Sequence, residues 1–409
     1  MSNSSRFQRQ VKDKIPKRWW LLYATDFLSL MNPCFTLGRI LGTFPYNIHA
    51  SIFKASKLSY ILSTIVTCVT CVYTLATLYK INLINTNADV ARTIQDDCFF
   101  IFGSFIVILS YILSDLRMRL LQTILDISSR LPSKTYEKLS KFIHIKDIFG
   151  FFFLLSRMLI ANNYVGILYK LEYYIGLQVF QMNMLYINCV CVLKSCFQAI
   201  DNQLTNLGVL MVNDNPCIPG LIYHEQKNPF LLIELKTLKK QHMIVSNAVQ
   251  MLNIILGPQM LASIGIIFIE LTFELYFNIV DWQNELSISL TKQIRNTFTT
   301  SYIMYHIIKL ALIAWVCETG KNQAMKISTT VHDVINSTND KKIKYELQLF
   351  SLQILHRDNT FSTRGLTVDA RLITTMVGTI TTYLLILIQF LIMMHSCDKN
   401  TSNNVTQVI

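Results

Sequence analysis

The chain carries seven stretches that are long and apolar enough to cross a bilayer as helices, and this pattern limits the fold more than any other feature of the sequence. Spanning the hydrocarbon core takes about 20 predominantly apolar residues in a helix, because backbone groups find no water there and must bond within the segment. The stretches are Tyr60–Tyr79, Cys98–Leu116, Ile148–Leu168, Tyr173–Phe197, Leu252–Ile279, Thr297–Val316 and Leu372–Met394. Arg157 interrupts the third, and only Tyr169–Glu172 separates it from the fourth. Hydrophobic residues make up 52% of the chain and charged ones 15%, well under the roughly one quarter of a soluble domain. An all-α membrane protein follows.

The basic residues set the orientation. Of the 37 Lys and Arg, 28 fall in alternate segments on one side of the seven spans and 6 on the other, with Arg157, Lys194 and Lys309 inside spans. Positive residues stay cytosolic in short loops, so the N-terminus is predicted inside and the C-terminus outside. The net charge of +12 is explained by that topology, and no nucleic-acid partner is expected, since a nucleic-acid binder gathers its charge on one face of a folded domain. The first eighteen residues hold no apolar core for a cleavable signal peptide. Two glycosylation sequons, at Asn400 and Asn404, lie on the predicted outer side, and two more, at Asn3 and Asn336, on the inner. The division expected is 1–59 as a cytosolic N-terminal segment, 60–316 as a six-helix sensing bundle, 317–371 as a cytosolic linker and anchoring helix, 372–394 as the seventh span and 395–409 as an outer tail. Within the linker, Ile343, Leu347, Phe350, Leu352 and Ile354 recur at close to helical spacing.

Catalytic signatures are missing. The chain has no Gly-rich phosphate loop, nucleophile elbow or His-Glu-x-x-His, and its ten cysteines sit mostly inside apolar runs without paired metal spacing. Neither an enzyme nor a cofactor or metal is expected. No internal repeat suggests an inverted-repeat transporter.

In the seventh span, Thr375, Thr382, Gln389 and Ser396 recur every seventh residue and so form one polar stripe on an apolar helix. Two readings stand. The threonines bond back to their own helix while Gln389 bridges to another span, or the stripe faces a water-filled path.

The same helix resembles the insect gustatory receptors, whose signature is Thr-Tyr, five mostly hydrophobic residues and Gln-Phe. Here it reads Thr382-Tyr383 followed by Gln389-Phe390. The run Leu355-His356-Arg357 through Phe361-Ser362-Thr363-Arg364-Gly365-Leu366 to Asp369 is similar to the family's lead-in, and Arg39-Ile40-Leu41-Gly42-Thr43-Phe44-Pro45-Tyr46 to its weaker N-terminal pattern. The resemblance implies a homotetramer, alone or co-assembled with other gustatory receptors, in the plasma membrane. The last helix of each subunit then lines a central cation pore, with Gln389 and Phe390 at the gate and Thr382, Leu385 and Ile386 below them. Tyr383 points elsewhere and is expected to pack. With no acidic ring in that helix, poor discrimination among cations is expected.

A small-molecule pocket is expected in the outer halves of the first six spans, from Asn163, Tyr164, Tyr174, Gln178, Phe273, Phe277, Tyr302 and Tyr305, with Phe99 and Tyr173 nearby. Any of these aromatics can equally belong to an interfacial belt. Glu270 and Glu274 share one helix face and need a partner, either a ligand or an internal cation such as Lys309 or Arg157. The function expected is a tastant-gated, non-selective cation channel for bitter or plant secondary compounds. A sugar receptor, an odorant-receptor-like channel, a G-protein-coupled receptor and a transporter are the alternatives, and the last two sit poorly with the topology.

Overall fold

The computed structural model describes residues 23–49, 51–84, 90–162, 167–213, 224–284, 290–363 and 365–406. Their helices are α1 (Phe27–Ile40), α2 (Lys57–Ile84), α3 (Val90–Ile112), α4 (Ser114–Ser128), α5 (Ser133–Asn162), α6 (Ile167–Asn213), α7 (His224–Ile255), α8 (Gly257–Asn284), α9 (Leu290–Ser337), α10 (Lys341–Leu355) and α11 (Ala370–Thr406). Two small antiparallel hairpins join them: β1 (Tyr46–His49) with β2 (Ile52–Ala55), and β3 (Ser362–Thr363) with β4 (Leu366–Thr367).

Six of these helices, α2, α3, α6, α8, α9 and α11, contain segments long and apolar enough to cross a membrane. The chain is thus a multi-pass helical membrane protein. The third expected span, 148–168, falls on α5 as far as Asn162 and on α6 from Ile167, with 163–166 outside the described residues. Tyr169–Glu172, expected to connect two spans, lies within α6.

Two other expected spans straddle breaks. The second runs across Leu113, where α3 gives way to α4. The fifth runs across Leu256, where α7 gives way to α8, because Pro258 has no N–H to continue the hydrogen-bond ladder and sits comfortably only in a first turn. Leu256 and Met260 still donate to the carbonyls of Leu252 and Leu256, so helical hydrogen bonds reach across the break.

At about 1.5 Å per residue, α6 with 47 residues and α9 with 48 run roughly 70 Å, more than twice a hydrocarbon core. Their surplus turns meet α7 and α10 in a second bundle beyond the spans. There the His242 ring lies between Phe197 of α6 and Phe350 of α10, with centroids 5.8 and 5.4 Å away. Gln353 Nε2 donates to His242 Nδ1 at 3.3 Å. Burial, reinforced by Arg357, pushes the imidazole down to about 4. On α10, Asp340 caps the first turn by accepting from Lys342 N and Ile343 N. Ile343, Leu347, Phe350 and Ile354 are buried, whereas Leu352, of the same apolar set, is exposed because it falls off their stripe.

The N-terminal segment, expected only as cytosolic chain, holds an ordered unit. Asp26 and Ser29 form a capping box for α1, whose Phe27, Leu30, Met31 and Phe35 are buried. Helix α1 packs on α5 and α6, and the His144 ring nitrogen bonds the Leu30 carbonyl at 2.9 Å. Tyr46 donates to the Ser114 carbonyl, tying the first hairpin to the start of α4.

The second hairpin turns at Gly365, whose φ of +93° suits a residue without Cβ. It docks on α8 and leads into α11. Asn253 donates to the Thr360 carbonyl at 2.8 Å and accepts from Ser362 N, while Phe361 seats on Gly320 of α9, where a Cβ would come within 2.7 Å of the ring. Asp369 then accepts from Arg371 N and Leu372 N to start α11.

Candidate functional site

Between α3, α5, α6, α8 and α9 lies a cavity of about 280 Å³. Helical spacing on α8 delivers Glu270 and Glu274 to it on one face, and α9 delivers Tyr302, Tyr305, His306 and Lys309 the same way. Of the expected pocket residues, these two carboxylates and two tyrosines line the cavity, with Phe99 and Tyr173.

Others lie elsewhere. Tyr174 and Gln178 both donate to the Leu41 carbonyl, at 2.9 and 3.2 Å, and so fasten α6 to the end of α1. Phe273 and Phe277 stack on each other, and Arg92 lies over the Phe277 ring at 4.9 Å. Asn163 and Tyr164 fall outside the described residues.

The partner of the two carboxylates is a residue the sequence reading missed. Gln95 Nε2 donates to Glu270 at 2.8 Å and to Glu274 at 3.3 Å. Gln95 stands three residues before the expected start of its span, and nothing in its local pattern points across the bundle. Arg157 is occupied otherwise: its guanidinium lies over the rings of Phe298 and Tyr302, at 3.8 and 4.1 Å, and donates to the Phe298 carbonyl. Lys309 Nζ sits 5.2 Å from the Tyr305 ring centre.

The cavity wall therefore holds the carboxylates of Asp96, Glu172, Glu270 and Glu274 and the cations of Arg92, Arg157 and Lys309, yet among the described residues no two of them come within the 4.0 Å of an ion pair. Both ring nitrogens of the buried His306 are also without a hydrogen-bond partner. Separated charges of both signs, walled by aromatic rings, suit a small amphiphilic molecule carrying its own donors and acceptors.

Helix α11 packs on α8 and α9 through Leu372, Met376 and Ile380, all buried, while Thr375, Thr382 and Gln389 are exposed. At about 100° per residue, Gln389 points roughly opposite Ile380, Leu385 and Ile386 lie within about 60° of Gln389, and Phe390 shares a flank with Tyr383. Thr375, Thr379, Thr381 and Thr382 each donate to the carbonyl four residues back. Tyr383 meets Phe268 of α8 edge to face at 5.9 Å and stays half exposed. Phe268 stands two residues before Glu270, so α8 carries both a cavity carboxylate and a contact to α11.

A family model described as the 7tm chemosensory receptor matches residues 31–394. Gustatory receptor 28b of Drosophila melanogaster, by its given name, is 30% identical over 171 residues, 40% of this chain and 34% of that protein. The one named gustatory receptor 28a, from the same fly, is 33% identical over 117 residues, 27% of this chain and 26% of that protein. The alignments thus span about a third and a quarter of these relatives. In fold, the chain is similar to the olfactory receptor OR5 of Machilis hrabei, with a TM-score of 0.63 and 11% identity over 88% of this chain and 97% of that one. The same receptor in complex with eugenol aligns with a TM-score of 0.58 and 12% identity, over the same shares.

Proposed function

The chain belongs to the 7tm chemosensory receptor family, and on that premise we propose that it is a tastant-gated, non-selective cation channel of the plasma membrane, formed by four copies around α11. The N-terminus and the α6–α7–α9–α10 bundle lie in the cytosol and the end of α11 outside, as the distribution of Lys and Arg favours. The observation that carries the reading is the exposed polar stripe of α11. Among the six candidate spans this helix is the least buried, and its polar face turns away from its own protomer.

Lipid is a poor environment for that face, since Gln389 would leave an amide in hydrocarbon. The axis of an assembly satisfies it. The threonine hydroxyls, already bonded to backbone, keep lone pairs for water, Leu385 and Ile386 supply an apolar ring that closes by dewetting, and Gln389 with the flanking Phe390 forms the outer constriction.

The cavity beside α3, α5, α6, α8 and α9 is the tastant site, with Glu270 and Glu274 as acceptors and Tyr302 and Tyr305 as walls. A ligand that replaces Gln95 as partner of the carboxylates moves α8, and the Phe268–Tyr383 contact passes the shift to α11. Opening requires only that the ligand bind the open arrangement better than the closed one. The mixed aromatic and ionic wall favours bitter or plant secondary compounds over sugars, and a neighbour of the same fold takes eugenol.

Whole-cell recording of Gln389→Ala and Phe390→Ala tests the pore. Altered basal current, block or ion selectivity is expected, and wild-type behaviour in both would remove α11 from conduction. Calcium imaging of Glu270→Gln against sugars, alkaloids and glycosides tests the site, with a shifted potency expected at normal surface expression.

A further inference from the structure

A second cavity, of about 290 Å³, opens on the outer face of the α5, α6 and α9 helices. Phe149, Met304 and Ile308 on its rim are exposed, and in a membrane-spanning chain that exposure is to lipid. Its walls are almost entirely carbon, from Phe149, Phe153, Phe180, Met184 and Leu312 among others. Two cations interrupt them.

Lys146 is committed, donating to Asp147 and, at 2.5 Å, to Asn188 Oδ1. Lys309 is not. Among the described residues no carboxylate lies within 4.0 Å of its ammonium and no acceptor bonds it, although Glu270 faces it across the first cavity. Lys309 is only 5% exposed, and with Tyr305 it lines both cavities, so the ammonium stands in the partition between them. An unpaired ammonium in an apolar membrane environment is among the costlier arrangements such a protein holds, and an anionic acceptor relieves it.

We propose that the α5–α6–α9 groove binds a single-chain lipid anion, a long-chain carboxylate drawn from the bilayer, with its tail along the phenylalanines and its carboxylate on Lys309. The carbon walls replace the contacts the tail leaves behind in the bilayer, so the tail sets the fit and the carboxylate supplies the preference. The charge-assisted bond selects an acid over a neutral lipid, which would leave the ammonium as it stands. Because Lys309 also faces Glu270, the bound anion draws the lysine away from the first cavity and changes the field a ligand meets there.

Photolabelling of the full chain in lipid nanodiscs with a diazirine-bearing palmitic acid, and in parallel with its methyl ester, tests this by mass-spectrometric mapping. The acid is expected to label α5 and α9 along the groove roughly tenfold more strongly than the ester, the ratio set by one charge-assisted hydrogen bond. Lys309→Met is expected to bring the two probes level. Met304→Trp, which fills the groove at an exposed position, is expected to abolish labelling there by both. Equal labelling of the wild type by acid and ester, or labelling spread evenly over the lipid-facing surfaces of α2 and α3, would overturn the assignment. Undiminished groove labelling in Met304→Trp would do the same.

Discussion

Helices α6 and α11 are both apolar enough to cross a membrane and both carry polar side chains, yet one is the most buried of the candidate spans and the other the least. On α6, Gln178, Gln181, Asn183 and Asn188 are buried, and each finds a partner inside the protomer. Asn183 donates to Ser263 of α8 at 2.8 Å, and Asn188 to Asp147 of α5 at 2.9 Å. On α11 the exposed threonines bond only their own backbone, and Gln389 faces outward. The polar groups of α6 hold one subunit together; those of α11 are left for whatever surrounds the subunit. Substitutions on α6 and its partners should therefore register in stability, and those on α11 in conduction.

The largest stability effect is expected at the buried cluster around α6. Asp147→Ala leaves the Lys146 ammonium beside Asn188 without its carboxylate, and a loss of about 3–5 kcal/mol is expected, seen as lost surface expression or early melting of the solubilised chain. Next is a pH effect. His242 holds a pKa of about 4 against an ordinary 6.5, so the neutral ring's contribution is complete above pH 6.5 and drains away as pH falls towards 4. The full swing is on the order of 3 kcal/mol. Thermal melts across that range should show it, and His242→Leu should flatten the dependence.

A smaller change is expected at the hairpin's seat. Gly320→Val drives a side chain into the Phe361 ring and should cost about 1–3 kcal/mol, read as a lower melting temperature. The smallest is on α11: Thr382→Val removes only an exposed, back-bonded hydroxyl, so stability should move by less than about 0.5 kcal/mol while conduction changes. A large loss of stability there would erase the contrast between the two helices.

The same contrast marks what the sequence made legible. Hydropathy located the spans, and a period of seven located the α11 stripe, because both are properties of one helix. The stripe's two readings also divide as the residues allow: the threonines do bond backward, and Gln389 still faces out. The breaks at Leu113 and Leu256 fall inside the expected spans 98–116 and 252–279, and hydropathy, which sums over a window, does not show them. Helix α1 is too short to span a membrane and carries Pro33 within it, so neither its length nor its composition marks it out in the sequence. Leu352 shares the apolar character of its neighbours on α10, but its angle on the helix puts it outside their buried stripe. Partnerships across helices, such as Gln95 with Glu270 and Glu274, or Tyr174 and Gln178 with Leu41, have no period and show only when the helices are packed.

The stripe's meeting with water is tested most directly by cysteine accessibility along α11. In permeabilised cells, where the reagent reaches the pore from both sides of the constriction, a membrane-impermeant maleimide should add label beyond the wild type to Thr382→Cys and Gln389→Cys and none to Met376→Cys or Ile380→Cys. Labelling that ignores the stripe, or reaches neither of its members, would contradict a water-filled path between subunits.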